Sequence, residues 1–146
     1  MKKFFTNIFI FFISFFLLTI IPCCKKEERI PVVPVYFYIN LDGATSGNIK
    51  VPGNYLYIDG EGYGGIVLYC AYIDEYIAYD RNCTYNPSNE KAILDVDSTK
   101  SFLECRDCGS KFRIQDGIPS EGPAKYSLIR YSTSLNNSIL TIYNSQ

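Results

Sequence analysis

Cys105-Arg-Asp-Cys108 sets two thiols three positions apart in a chain of 146 residues that contains no histidine. A Cys-x-x-Cys turn presents both sulfurs to one centre, and the deprotonated thiol is what binds metal, so the pair reads as a soft-metal or disulfide element. Cys83 adds a third thiol and Cys70 a fourth. Four sulfurs would complete a tetrahedral zinc site or a ferredoxin-type cluster. Cys70, however, alternates in phase with Ile66, Leu68 and Tyr72, which is the register of a small apolar residue buried on one face of a strand. The missing imidazole closes off Ser-His-Asp and Cys-His nucleophiles and every histidine zinc site.

The elements that must position these thiols are short strands. Period-two alternation recurs in blocks separated by Gly, Asn, Asp and Pro, and no run of helical periodicity is present. Val35, Phe37, Ile39 and Leu41 alternate with Tyr36, Tyr38 and Asn40. Further strands are expected over 55–58, 66–72, 76–79, 92–96, 101–104 and 112–114, and a strand over 126–131 is expected to pair with 139–143 across Leu135-Asn136-Asn137. About nine such strands predict an all-β sandwich or small barrel. Most of the 13 tyrosines fall in these blocks, where the ring packs and the hydroxyl stays wet. Gly60 to Gly65 lies between strands with no following helix and reads as a hairpin connection rather than a phosphate cradle. Asp80, Asp95 and Asp97 lack the frame of a calcium loop and read as solvated turn residues.

With this ligand spacing, the chain resembles the Rieske iron–sulfur domains. Those hold a two-iron, two-sulfide (2Fe-2S) cluster on Cys-x-His and Cys-x-x-His, with cysteines on one iron and histidines on the other. Cys83 and Cys105 match the two cysteines, while Tyr85 and Cys108 stand where the histidines would be. Gly64-Gly-Ile-Val-Leu-Tyr69 and Tyr76-Ile-Ala-Tyr-Asp80 match the strands that lead into the first ligand loop. Gly109-Ser110 and Phe112 match the segment after the second, and Asp116-Gly117 the turn beyond it. Gly122-Pro123-Ala124, followed by Leu128, is similar to the proline loop that packs over the cluster.

The resemblance implies a base of antiparallel sheets with an inserted ligand-bearing subdomain of two loops, 81–88 and 105–110. It implies metal ligation by Cys83, Cys105 and Cys108, with Tyr85 either a weak oxygen donor or an aromatic packed on the loop. Ser110, Phe112, Gly122 and Pro123 would surround the centre, Ser110 matching a serine that donates to a bridging sulfide. A cluster held by thiolates in place of imidazoles would have a low potential. Phe112 points the same way, because it lacks the tyrosine hydroxyl that the family often places on a cysteine sulfur.

Residues 1–23 read as a secretory signal, with Lys2 and Lys3 ahead of an apolar run from Ile8 to Ile21. Cys23-Cys24 after that run resembles a lipobox, with Cys24 as the lipid carrier and Cys23 the alternative. Lys25-Lys26-Glu27-Glu28 resembles a surface-export signal, and 24–34, with Pro31 and Pro34, reads as an extended tether ahead of a domain at 35–146. The expected place is the outer membrane of the cell envelope, on its periplasmic or outer face. Without residues 1–23 the chain has 12 basic and 15 acidic residues, a net charge of −3. That balance, with no Lys/Arg cluster, argues against nucleic acid.

Two functions follow as expectations. The first is an envelope lipoprotein that binds a 2Fe-2S cluster, zinc or another metal and transfers electrons to a redox or envelope protein partner. The second is a cofactor-free binding module whose loops are held by a disulfide, since an extracytoplasmic address favours disulfides and the four remaining cysteines allow three pairings. Neither is a catalyst.

Overall fold

The computed structural model describes residues 28–145. The signal segment, Cys23, Cys24 and the Lys25–Glu27 run lie outside the described residues. Ten strands form two antiparallel sheets: β1 (Tyr36–Asn40), β2 (Tyr55–Ile58), β3 (Ile66–Tyr72), β4 (Glu75–Asp80), β5 (Leu94–Val96), β6 (Phe102–Cys105), β7 (Lys111–Arg113), β8 (Pro119–Glu121), β9 (Arg130–Asn136) and β10 (Ile139–Asn144). The base sheet runs β1-β10-β9-β4-β3-β2, and the smaller sheet runs β5-β6-β7-β8. The small sheet is inserted between β4 and β9, which pair with each other directly. A 3-10 turn at Ala44–Ser46 is the one helical element among the described residues.

The core has two halves because β3 and β4 are covered on both faces. Val67, Tyr69, Ile77 and Tyr79 face the small sheet, where they meet Leu94, Leu103, Phe112, Ile114 and the buried Cys83 and Cys105. Ile66, Leu68, Cys70 and Ala78 face the other way, onto Val35, Leu41, Ile49, Leu140 and Ile142. Burial on both sides explains why these strands read as nearly continuous apolar runs.

Several expectations need correction. The last hairpin does not use 126–131: its first strand is β9, which turns at Asn136 to Ser138 with Asn137 at φ 53°. Ser132, Thr133 and Ser134 form that strand by pairing with β10, and because their side chains are half-buried or exposed they need no apolar alternation, whereas 126–129 pack as a loop. β8 was not expected, since it begins on a proline. Tyr72 leaves the face of Ile66, Leu68 and Cys70 through a register shift after Cys70, and it is exposed. Tyr76 and Tyr79 bury hydroxyls that have no hydrogen-bond partner among the described residues, so these two are not wet at the tip. Residues ahead of β1 lie against the domain: Ile30 is buried, Val33 packs on the core, and Asn144 Nδ2 donates to Val33 O.

Asp80 departs furthest from the reading of it as a solvated turn residue. Its side chain is completely buried at the end of β4, where the chain enters the first loop. The carboxylate accepts from the main-chain N–H of Tyr63 (2.7 Å), Gly64 (3.0 Å) and Asn82 (2.8 Å) and from the Tyr131 hydroxyl (2.8 Å). Four donors, none of them a cation, compensate the desolvated charge. Gly62 is required beside it: with φ 73°, a Cβ there would come within 2.8 Å of Asp80 Oδ2.

A candidate metal centre at the loop tips

The first loop leaves β4 as a continuation of its edge. Asn82 bridges to Ile93, Cys83 N–H donates to Ala92 O at 2.7 Å, and Leu94 N–H donates to Arg81 O at 2.7 Å. Cys83 is thereby fixed with its side chain fully buried. The second loop is the turn between β6 and β7. Cys105 N–H donates to Ser110 O and Gly109 N–H to Cys105 O, both at 2.9 Å, and Gly109 takes φ 71° to close the turn. A cross-loop bond from Asn89 Nδ2 to Asp107 Oδ2 (2.8 Å) holds the two tips together.

The three sulfurs of Cys83, Cys105 and Cys108 lie within 4.8 Å of one another. Cys83 Sγ and Cys108 Sγ, which come from different loops, are 3.7 Å apart. Cys83 and Cys105 are buried, and Cys108 is partly exposed. Main-chain N–H groups beside every sulfur favour its thiolate: Tyr85 at Cys83, Asp107 and Cys108 at Cys105, and Ser110 at Cys108. Burial pushes the Cys83 thiol well above the ordinary range and raises that of Cys105. Burial acts the same way on Cys108, but the Ser110 hydroxyl and N–H, with the neighbouring thiols, outweigh it and hold Cys108 below its usual value.

Residues around the thiols form a fitted shell. Ser110 is fully buried, with Oγ 3.1 Å from Cys108 Sγ and accepting from Ala124 N–H at 3.1 Å. Its resolved partners are thus one thiol and one amide. Gly122 lies flat on this residue: a Cβ there would stand 2.5 Å from Ser110 Cα, and φ is 86°. Pro123 is exposed, while Ala124 is buried behind it. Phe112 is fully buried in the core beneath the loops. Tyr85 touches the site through its main-chain N–H, and its side chain is 54% exposed. Cys70 lies in the opposite half of the core, its Sγ 3.1 Å from Tyr72 O. It is not part of the sulfur group.

The subdomain is also clamped to the base sheet by a residue that the sequence pattern did not single out. The Arg81 guanidinium lies 3.9 Å over the Tyr57 ring, with Nε donating to Leu94 O (3.1 Å) and its two ends on Asp59 (3.4 Å) and Asp95 (3.1 Å). Tyr57 OH accepts from Val96 N–H at 2.8 Å, and Asp95 also pairs with Arg106 at 2.5 Å. Asp97 caps the turn between β5 and β6 through Ser101 and Phe102 N–H, both at 3.1 Å. Asp80, Asp95 and Asp97 therefore serve three separate bonding roles and form no common site.

The fold has a counterpart among solved structures. The ferredoxin chain in "Complex of reduced oxygenase and oxidized ferredoxin in carbazole 1,9a-dioxygenase" is similar over 76% of this chain and 94% of its own, at 18% identity and a TM-score of 0.52. The fold is that of the Rieske ferredoxins. The Sphingomonas yanoikuyae B1 ferredoxin matches at 17% identity over 65% of this chain and 89% of its own, with a TM-score of 0.45. The ferredoxin of carbazole 1,9a-dioxygenase from Nocardioides aromaticivorans IC177 matches at 15% identity over 78% of this chain and all of its own, with a TM-score of 0.49. No family model matches the chain, and no curated protein does.

The Rieske fold implies a two-iron cluster, and the donors can be tested against it. Such a cluster takes four terminal ligands, two on each iron. Three thiols are in place, each with N–H donors of the kind that orient metal ligands. The set suits a thiophilic metal. It falls one resolved donor short of a two-iron cluster.

Proposed function

We propose that this chain is a lipid-anchored protein of the cell envelope whose Rieske-fold domain binds metal through Cys83, Cys105 and Cys108. The convergence of three thiols from two loops within 4.8 Å carries the reading. Main-chain N–H groups beside all three sulfurs oppose the burial that raises Cys83 and Cys105 and so assist the thiolate form that binds metal. Export and anchoring rest on the apolar run that ends at Cys23-Cys24. Electron transfer is the activity the fold favours, because its solved relative is an oxidized ferredoxin in complex with a reduced oxygenase. A bound iron–sulfur cluster would supply one-electron transfer, and a redox or envelope partner would dock over the loop tip beside Gly122-Pro123-Ala124.

A second reading has its own observation. Cys83 and Cys108 are 3.7 Å apart, so a small shift would bring them to the bond length of about 2.05 Å in a disulfide, leaving a cofactor-free binding module. Full-length protein extracted in detergent without oxygen decides between them. Metal in stoichiometric amount, lost in Cys105→Ser, together with an acylated mass that begins at Cys24 or Cys23, is the expected result. Metal at background with a mass about two units below the all-thiol value would establish the disulfide module.

A further inference from the structure

We propose that the loop tips form a mononuclear centre in which Cys83, Cys105 and Cys108 together hold one closed-shell thiophilic ion of the Zn(II) or Cu(I) class. The inference rests on the metal-binding reading above and names the metal. Thiolates that share one ion at about 2.3 Å, near the tetrahedral angle, stand about 3.8 Å from each other. Cys83 and Cys108 already stand at 3.7 Å, and no pair in the group exceeds 4.8 Å. In the two-iron arrangement Cys83 and Cys105 would share one iron and Cys108 would sit on the other, displaced by the metal–metal vector. The observed arrangement brings Cys108 as close to Cys83 as a thiol on the same ion would be.

The surroundings complete the case for one ion. The Ser110 hydroxyl, 3.1 Å from Cys108 Sγ, and main-chain N–H groups beside the sulfurs offset part of the excess negative charge that three thiolates leave on a monovalent or divalent ion. Soft sulfur donors select Cu(I) and Zn(II) over the hard cations. No fourth protein ligand is needed. Cu(I) is satisfied by three thiolates, and Zn(II) would take its fourth ligand from solvent on the partly exposed Cys108 side, the geometry of an open zinc site. The residues that could compete for that position are engaged: Ser110 Oγ with Ala124 N–H, and Asp107 with Asn89. Binding exchanges thiol protons for the ion and requires no oxidant.

Reduced, metal-free full-length protein in detergent should take up one equivalent of Zn(II) or Cu(I), with Co(II) giving the visible absorption of a thiolate-rich tetrahedral site. X-ray absorption of the loaded protein should count three sulfurs at about 2.3 Å. Alkylation mapped by mass spectrometry should show Cys83, Cys105 and Cys108 protected by the ion. Cys105→Ser should weaken binding at least 100-fold, Cys70→Ala should leave the stoichiometry at one, and circular dichroism would confirm that both variants fold. Competition between the two ions identifies the occupant. Protein isolated with two irons and two labile sulfides per chain would overturn the single-ion centre while leaving the metal-binding function intact. Failure of the reduced protein to bind any thiophilic ion would overturn both.

Discussion

Gly122 and Ser110 show how closely one residue can constrain another at this site. A methyl group at 122 would strike the Ser110 backbone at 2.5 Å and demand φ 86° of a residue with a side chain. Gly122→Ala should therefore destabilise the fold by about 2 kcal/mol or more, read from the midpoint of urea unfolding. An unchanged midpoint would show that the loop is free to withdraw. Tyr79 makes a different point. Burial raises its hydroxyl from 10.0 to about 12, so above pH 10 the unfolded chain ionises first and the folded state loses stability as pH rises toward 12. Tyr79→Phe removes that component: its stability should fall less steeply between pH 10 and 12, with no loss at pH 7, because the hydroxyl has no partner among the described residues. Parallel pH profiles for the two proteins would contradict this. Neither the Tyr79 environment nor the Asp80 donors could be read from sequence, since the residues around Tyr79 and three of the four donors to Asp80 lie far along the chain.

At the scale of elements, the junction between β4 and the first loop controls the site. Asp80 joins β4 to the Gly62–Gly64 connection and to β9 through Tyr131, and Cys83 follows three residues later. Asp80→Asn keeps the shape but turns an amide donor toward donors and removes the charge that strengthens all four bonds. The expected loss is about 3 kcal/mol or more by denaturant unfolding. Hydrogen exchange should rise first in 62–64 and 81–84, and a uniform rise across the base sheet would contradict a local role. The strands legible in the sequence were those with clear alternation and Gly or Asp at their ends: 55–58 and 66–72 have the expected bounds. Strand β9 was misplaced because Ser132-Thr-Ser134 has no apolar signature, its place being set by pairing with β10. The ligand loops were legible through the family resemblance that the cysteine spacing and its flanking segments carry. Their joining by Asn89–Asp107 and the Arg81 clamp was not, because long-range polar contacts leave no periodic trace.

For the whole molecule, one contact at the edge of the described chain bears on how the proposed lipid anchor would hold the domain. The Arg29 guanidinium lies 3.8 Å over the Tyr126 ring, and Tyr126 O accepts the hydroxyl of Thr84, the neighbour of Cys83. The polypeptide therefore enters the domain beside the sulfurs, at the opposite end of β4 from the exposed Tyr72-Ile73 tip. Four residues lie between Cys24 and Arg29, so the leash of five chain steps reaches at most about 17 Å. Fastened there, the body would hang with its thiols turned toward the lipid and its far tip toward open water. Large visitors from the aqueous side would then meet the wrong end, and the sulfurs would be left to small solutes or to neighbours embedded in the bilayer.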